Sequence, residues 1–277
     1  MKKLASTGFI ALIAAAACGG GGGGGGDDGG DDGVEPGVDA GVEPDAAVLP
    51  VGPGLAGSLL DGQNVVLTGE DVLACMATVC LYGESGADGS FSFEIEPPAA
   101  VALKTQPDLS LQPRRGAALC PVSIASDELV DVGPLHCPLL PDGVLFGPPA
   151  EDPQTLSAGD GLELTLRRAD LTPRVGDVLV DAAARLMPPS QVCSLLVVPD
   201  EEIVAVYALH PFAAVSSSPI AVRAPSDLPP DTAVNFRTIS EIDGHFSDPI
   251  PGRTDGTTAA TDPDTGITEL TWLVISR

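Results

Sequence analysis

The chain has 277 residues, 33 of them glycine and 27 proline, with a formal net charge of -26. That length suits one or two modest domains, and an apolar content of 44% excludes a collagen-like or wholly disordered chain. Beyond residue 50 there are still 31 acidic against 11 basic side chains, a field that argues against nucleic acid or an anionic membrane surface as a partner.

Residues 1–18 open with the basic Met1-Lys2-Lys3, followed by the apolar run Gly8 to Ala17. Ten residues are too few for a helix to cross a bilayer, which takes roughly 20, so the segment reads as a secretory signal peptide. Its end, Ala15-Ala16-Ala17-Cys18, resembles the lipobox of bacterial lipoproteins, although Ala15 stands where that family usually has Leu. The resemblance implies that Cys18 is acylated and becomes the new N-terminus, tying the chain to a membrane. Gly19 after it implies sorting to the outer membrane, at the cell surface or the periplasmic face.

Residues 19–53 begin with eight glycines in a row, Gly19 to Gly26, and carry eight acids and no base between Asp27 and Asp45. They hold too little apolar surface to offset the entropy of ordering, which predicts a disordered acidic tether. Gly-rich statistics give it an r.m.s. span of roughly 30 Å. Its aspartates lack the ordered spacing and closing Glu of an EF-hand loop.

Past Pro53 prolines recur at short intervals and nearly exclude long helices. Phe91, Phe93 and Ile95 alternate with Ser92, Glu94 and Glu96, and Leu162, Leu164 and Leu166 alternate with Glu163, Thr165 and Arg167, as half-buried strands do. Further strands are predicted over 64–68, 72–81, 100–104, 203–209, 220–223, 233–239 and 267–275, punctuated by turns such as Asp88-Gly89, Asp142-Gly143 and Asp243-Gly244. Residues 181–187, with Ala182-Ala183-Ala184, admit a helical turn. The expected fold class is all-β, antiparallel β-sandwich architecture following the tether. A composition break over 147–158 reads as a hinge between blocks 54–146 and 159–277, a single continuous sandwich being the alternative.

In the first block, Gly54-Leu55-Ala56-Gly57-Ser58-Leu59 opens a strand, and Ala87-Asp88-Gly89-Ser90-Phe91-Ser92-Phe93 precedes Glu96-Pro97-Pro98. This resembles the carboxypeptidase-regulatory-like (transthyretin-like) sandwich, with Asp88-Gly89 as the tight turn and both phenylalanines entering the core. The resemblance implies an accessory module without catalytic residues of its own. In the second block Tyr207-Ala208-Leu209-His210-Pro211, Ser218-Pro219-Ile220 and Asp243-Gly244-His245-Phe246 ahead of Trp272 resemble an Ig-like or ZU5-type module of bacterial surface proteins.

Cys75, Cys80, Cys120, Cys137 and Cys193 are an odd five, and in an oxidising envelope compartment disulfides are the expected state. Cys120 with Cys137, across a short Pro/Gly-rich gap, and Cys75 with Cys80 are the expected pairs. Cys75 or Cys80 with Cys193 is the alternative, and one thiol is left over. His136, His210 and His245 are the histidines; none has the companion spacing of a zinc site, and His136 reads as a turn residue. Asp262, Asp264 and Glu269 offer oxygens for calcium, against the simpler reading of a turn before the last strand. Trp272 reads as core. Catalytic signatures such as Gly-x-Ser-x-Gly, a phosphate loop or His-Glu-x-x-His do not occur. The sequence therefore predicts a non-enzymatic, lipid-anchored envelope protein without a cofactor, displaying sandwich modules for structural or binding roles toward an envelope protein or polysaccharide. The alternative is an accessory or substrate-binding subunit for envelope polysaccharide or a divalent cation.

Overall fold

The computed structural model describes residues 52–150 and 152–277. The signal segment, Cys18 and the tether up to Val51 lie outside the described residues. The first half contributes β1 (Gly54–Asp61), β2 (Asp71–Met76), β3 (Val79–Glu84), β4 (Ser90–Glu94), β5 (Ala99–Thr105), β6 (Leu119–Ile124) and β7 (Leu129–Cys137). The second contributes β8 (Val144–Leu145), β9 (Gln154–Gly159), β10 (Leu162–Leu166), β11 (Leu171–Thr172), β12 (Asp181–Leu186), β13 (Ile203–His210) and β14 (Ala214–Pro225). It ends with β15 (Ala233–Thr238), β16 (Ile250–Thr254), β17 (Thr258–Thr261), β18 (Ile267–Leu270) and β19 (Trp272–Ser276). The fold is all-β, with several antiparallel sheets packed in a sandwich-like arrangement.

The first half forms a three-stranded sheet, β4-β1-β7, and a four-stranded sheet, β3-β2-β5-β6. Phe91 and Phe93 point into the core between exposed Ser92 and Glu94, as period two requires. Asp88 and Gly89 make the turn before them, with Asp88 Oδ1 accepting from the Ser90 amide at 2.9 Å and Gly89 at φ 78°, a left-handed conformation that glycine adopts without strain. Every pairing is antiparallel except β1 with β7, which run parallel; the long excursion through β2 to β6 supplies the crossover a parallel pair needs. The predicted strand over 72–81 is instead the hairpin β2–β3 around Ala77 and Thr78, with Cys75 opposite Cys80. The predicted strand over 64–68 reduces to one bridge, Leu60 with Val66.

Twelve strands of the second half join one sheet, in the order β8-β12-β13-β19-β15-β16-β17-β14-β10-β9, with β11 and β18 also on β14. The sheet curls until its ends meet: the Leu186 amide on β12 donates to Asp160 Oδ2 in the β9–β10 turn at 2.8 Å. Residues 181–187 are not a helical turn but strand β12, buried through Asp181 to Ala184, because packing on both sides overrides the helical preference of alanine. The predicted strand over 267–275 breaks at Thr271 into β18 and β19, and the expected hinge over 147–158 carries most of β9.

Strands β13 and β19 hold the two halves together. Tyr207, Leu209, Leu273 and Ile275 face the core enclosed by the large sheet. Their alternates Val206, Ala208, Trp272 and Val274 face the core that the two smaller sheets build around Leu55, Leu103 and Phe91. Trp272 is fully buried, and its indole Nε1 donates to the Ala117 carbonyl at 3.0 Å. A strand buried on both faces has no polar alternates, which accounts for the unbroken run Trp272-Leu273-Val274-Ile275.

Candidate functional site

One of the two expected bridges forms and the other does not. Cys75 is joined to Cys80, but Cys120 is joined to Cys193. The Cys120 and Cys193 Cα atoms are 5.5 Å apart, within the range a disulfide spans. Cys137 is the thiol left over, buried beside Thr105 Oγ1 at 3.4 Å, and burial pushes it up to about 11. Such a thiol stays protonated and inert at neutral pH.

Asp262, Asp264 and Glu269 do not converge. The Asp262 carbonyl accepts from the Thr265 amide and hydroxyl, closing a turn, and Asp264 adopts φ 61° within it. Glu269 is turned toward Glu241, Lys104 and Asp243; burial, reinforced by the Glu241 carboxylate, raises its carboxyl to about 6. Among the described residues no group of three His, Cys, Asp or Glu side chains is placed to hold a metal ion. Of the histidines, His136 is not in a turn but buried on β7, with Nε2 3.1 Å from Asn64 Oδ1. His245 lies at the surface beside Asp243.

The polar constellation with the most chemistry surrounds His210, the last residue of β13. In the β12–β13 ladder Ala183 is opposite His210, so Asp181, two residues away on the same face, is its diagonal neighbour. Asp181 Oδ1 stands 3.3 Å from His210 Nε2, and Asp181 Oδ2 accepts from Arg114 Nη1 at 2.8 Å. Arg114 Nη2 also donates to the Pro141 carbonyl at 3.0 Å. The His210, Asp181 and Arg114 side chains are only 7, 11 and 13% exposed. Gly143, just ahead of β8, lies so close that a Cβ there would run into the Asp181 carboxylate and the Arg114 guanidinium, which is what the Asp142-Gly143 turn provides.

Burial, with Arg114 adding to it and Asp181 opposing, holds the His210 imidazole below its ordinary value. The ring is therefore neutral at pH 7, and the Asp181 carboxylate keeps the proton on Nε2. Nδ1 is left as an acceptor, and it is buried with no partner. His210 is also among the residues that line a cleft of about 400 Å³, within the size range of small-molecule sites. Pro107, Leu109, Val178, Pro211 and Phe212 form its apolar walls. Gln106, Arg174 and Asp177 line it as well; Gln106 Oε1 is a second buried acceptor without a partner, and Arg174 Nε is paired with Asp177 at 3.4 Å. Among the described residues no serine, threonine or cysteine lines the cleft.

Sequence reasoning named His210 only within a motif and missed Asp181, Arg114 and Gln106. One signal was present: Asp181 is a lone charge heading the apolar run Ala182-Ala183-Ala184, and a charge at the head of a buried strand needs a partner. No family model matches the chain, and no curated protein matches it.

Proposed function

We propose that the chain is a lipid-anchored protein of the bacterial cell envelope that presents its β-sandwich unit as a non-catalytic binding module. The observation that carries this reading is Cys18, placed directly after a ten-residue apolar run that follows a basic start and ends in alanines. The bridges Cys75–Cys80 and Cys120–Cys193 support it, because disulfides persist in oxidising compartments outside the cytosol. Two or more acyl chains on Cys18 anchor stably, since each buried methylene adds about 0.8 kcal/mol. We also read the first half as a carboxypeptidase-regulatory-like accessory module, on the Asp88-Gly89 turn and the inward Phe91 and Phe93.

Metabolic labelling with tagged palmitate tests the anchor. Label should enter the wild-type chain, found in the outer-membrane fraction, and should be lost from Cys18→Ala. Equal labelling of both would overturn the reading.

A further inference from the structure

We propose that the groove along the open end of β13 binds an extended, basic segment of another envelope protein, which adds to β13 as a further strand and seats its alternate apolar side chains between Leu186, Val204 and the Pro188-Pro189 turn. The inference deepens the binding-module reading and rests on it for the source of the partner, the envelope.

The sheet is incomplete at this place. On the β12 side the ladder along β13 stops at Leu186 opposite Tyr207, with one further bond from the Met187 amide to the Val206 carbonyl at 2.8 Å. Pro188 follows and has no amide hydrogen with which to continue the ladder, and the chain leaves β13 through the 3-10 helix Pro189–Gln191. Among the described residues no strand then faces Ile203, Val204 and Ala205 from that side. An edge left open without a charged side chain is a template for another strand. Between this edge and the departing turn lies a groove of about 500 Å³, walled by Leu186, Pro188, Pro189, Val192, Ile203 and Val204. These walls are within a partner's reach: Leu186 is 41% and Val204 36% exposed, and both prolines are exposed. Ser194 is the one polar side chain along the groove among the described residues, so main-chain bonds to β13 supply the polar contacts and the apolar walls select alternate side chains. Charge decides between occupants. The excess of 31 acids over 11 bases beyond residue 50 repels a second copy of this chain or an acidic segment and attracts a basic one. Asp200 and Glu202, both exposed just ahead of Ile203, bring part of that field to the end of the groove, where Arg277 answers only Glu202.

The test uses the full chain in detergent, with fluorescein-labelled peptides of about eight residues in which lysine and threonine alternate with valine, leucine or phenylalanine. Fluorescence anisotropy should show saturable binding of at least one. The same peptide with glutamate for lysine should bind about tenfold more weakly, and added salt should narrow that difference. N-methylation of one alternate set of peptide amides should abolish binding and of the other set should not, since only one set faces β13. Leu186→Gln and Val204→Gln, both at exposed positions, should each weaken binding about tenfold through lost apolar contact; Trp272 fluorescence checks that both variants are folded. The proposal is overturned if no peptide binds, if the acidic peptide binds as well as the basic one, if neither set of N-methyl groups matters, or if binding is unchanged in both variants. A wild-type dimer in sedimentation that Val204→Gln dissolves would give the groove to a second copy and overturn it as well. Palmitate labelling of Cys18 on the same preparation separates the two readings: labelled protein that binds no peptide overturns the groove alone, and unlabelled protein that binds overturns the anchor alone.

Discussion

Removing the Cys120–Cys193 bridge is the sharpest test of how the two halves are joined. The cysteines are 73 residues apart in sequence, and the loop-closure model assigns a bridge of that span about 4 kcal/mol. The Cys75–Cys80 bridge spans only five residues and is worth about 2 kcal/mol by the same model. Cys120→Ala combined with Cys193→Ala should therefore lower the melting temperature by roughly 10 °C, and Cys75→Ala with Cys80→Ala by about half as much. Trp272 is the chain's one tryptophan. It is buried against Ala117, three residues from Cys120, so its emission reports unfolding where the halves meet. Cys137→Ala should leave both bridges intact under non-reducing peptide mapping. A linked Cys120–Cys137 peptide, or a Cys120→Ala/Cys193→Ala variant that melts with the wild type, would refute the reasoning.

Glu269 predicts a pH dependence. Its carboxyl is raised from 4.5 to about 6, first by burial and then by Glu241, so its contribution to stability is fully present below pH 4.5 and is lost as the pH rises through about 6. Glu269→Gln should thus be more stable than the wild type at pH 7.5, by about 1 kcal/mol after allowance for solvent screening. The gain should vanish at pH 4; urea midpoints that differ equally at both pH values would count against the assignment. Gly143→Ala should destabilise by about 2–3 kcal/mol in thermal melts, because the new methyl displaces the Asp181 carboxylate from Arg114 and leaves a buried charge unpaired. A melt unchanged by that methyl would mean that the turn has room the structure does not show.

What could be read from the sequence was local. Alternation placed Phe91, Phe93, Leu162, Leu164 and Leu166 inward, and all five are buried; Asp88-Gly89 marked its turn because only a few residue types accept that backbone. The β2–β3 hairpin was missed because Ala77-Thr78 carries none of the Gly, Asn or Pro signals that turns usually need. The Cys120 pairing was missed for a different reason. Spacing along the chain favours Cys137, but the route to Cys193 exists only because β13 and β19 are buried on both faces and draw the segment around Cys193, Leu196 and Val198 into the first core. The candidate site was illegible for the same reason, since Gln106 and Arg114 come from one half and Asp181 and His210 from the other.

The scarcity of basic residues gives this seam its character. With 11 bases beyond residue 50, most of the acidic surface goes uncompensated, yet three cations are placed where the halves meet. Lys104 pairs with Glu241, Arg114 with Asp181, and Arg185 donates to the Leu139 carbonyl at 2.7 Å. A carboxylate buried at such a seam without a cation would cost several kcal/mol, so these cations complete a joint that β13, β19 and the Cys120–Cys193 bridge already hold. The result is a strongly acidic exterior around a seam at which the carboxylates of Glu241 and Asp181 are paired.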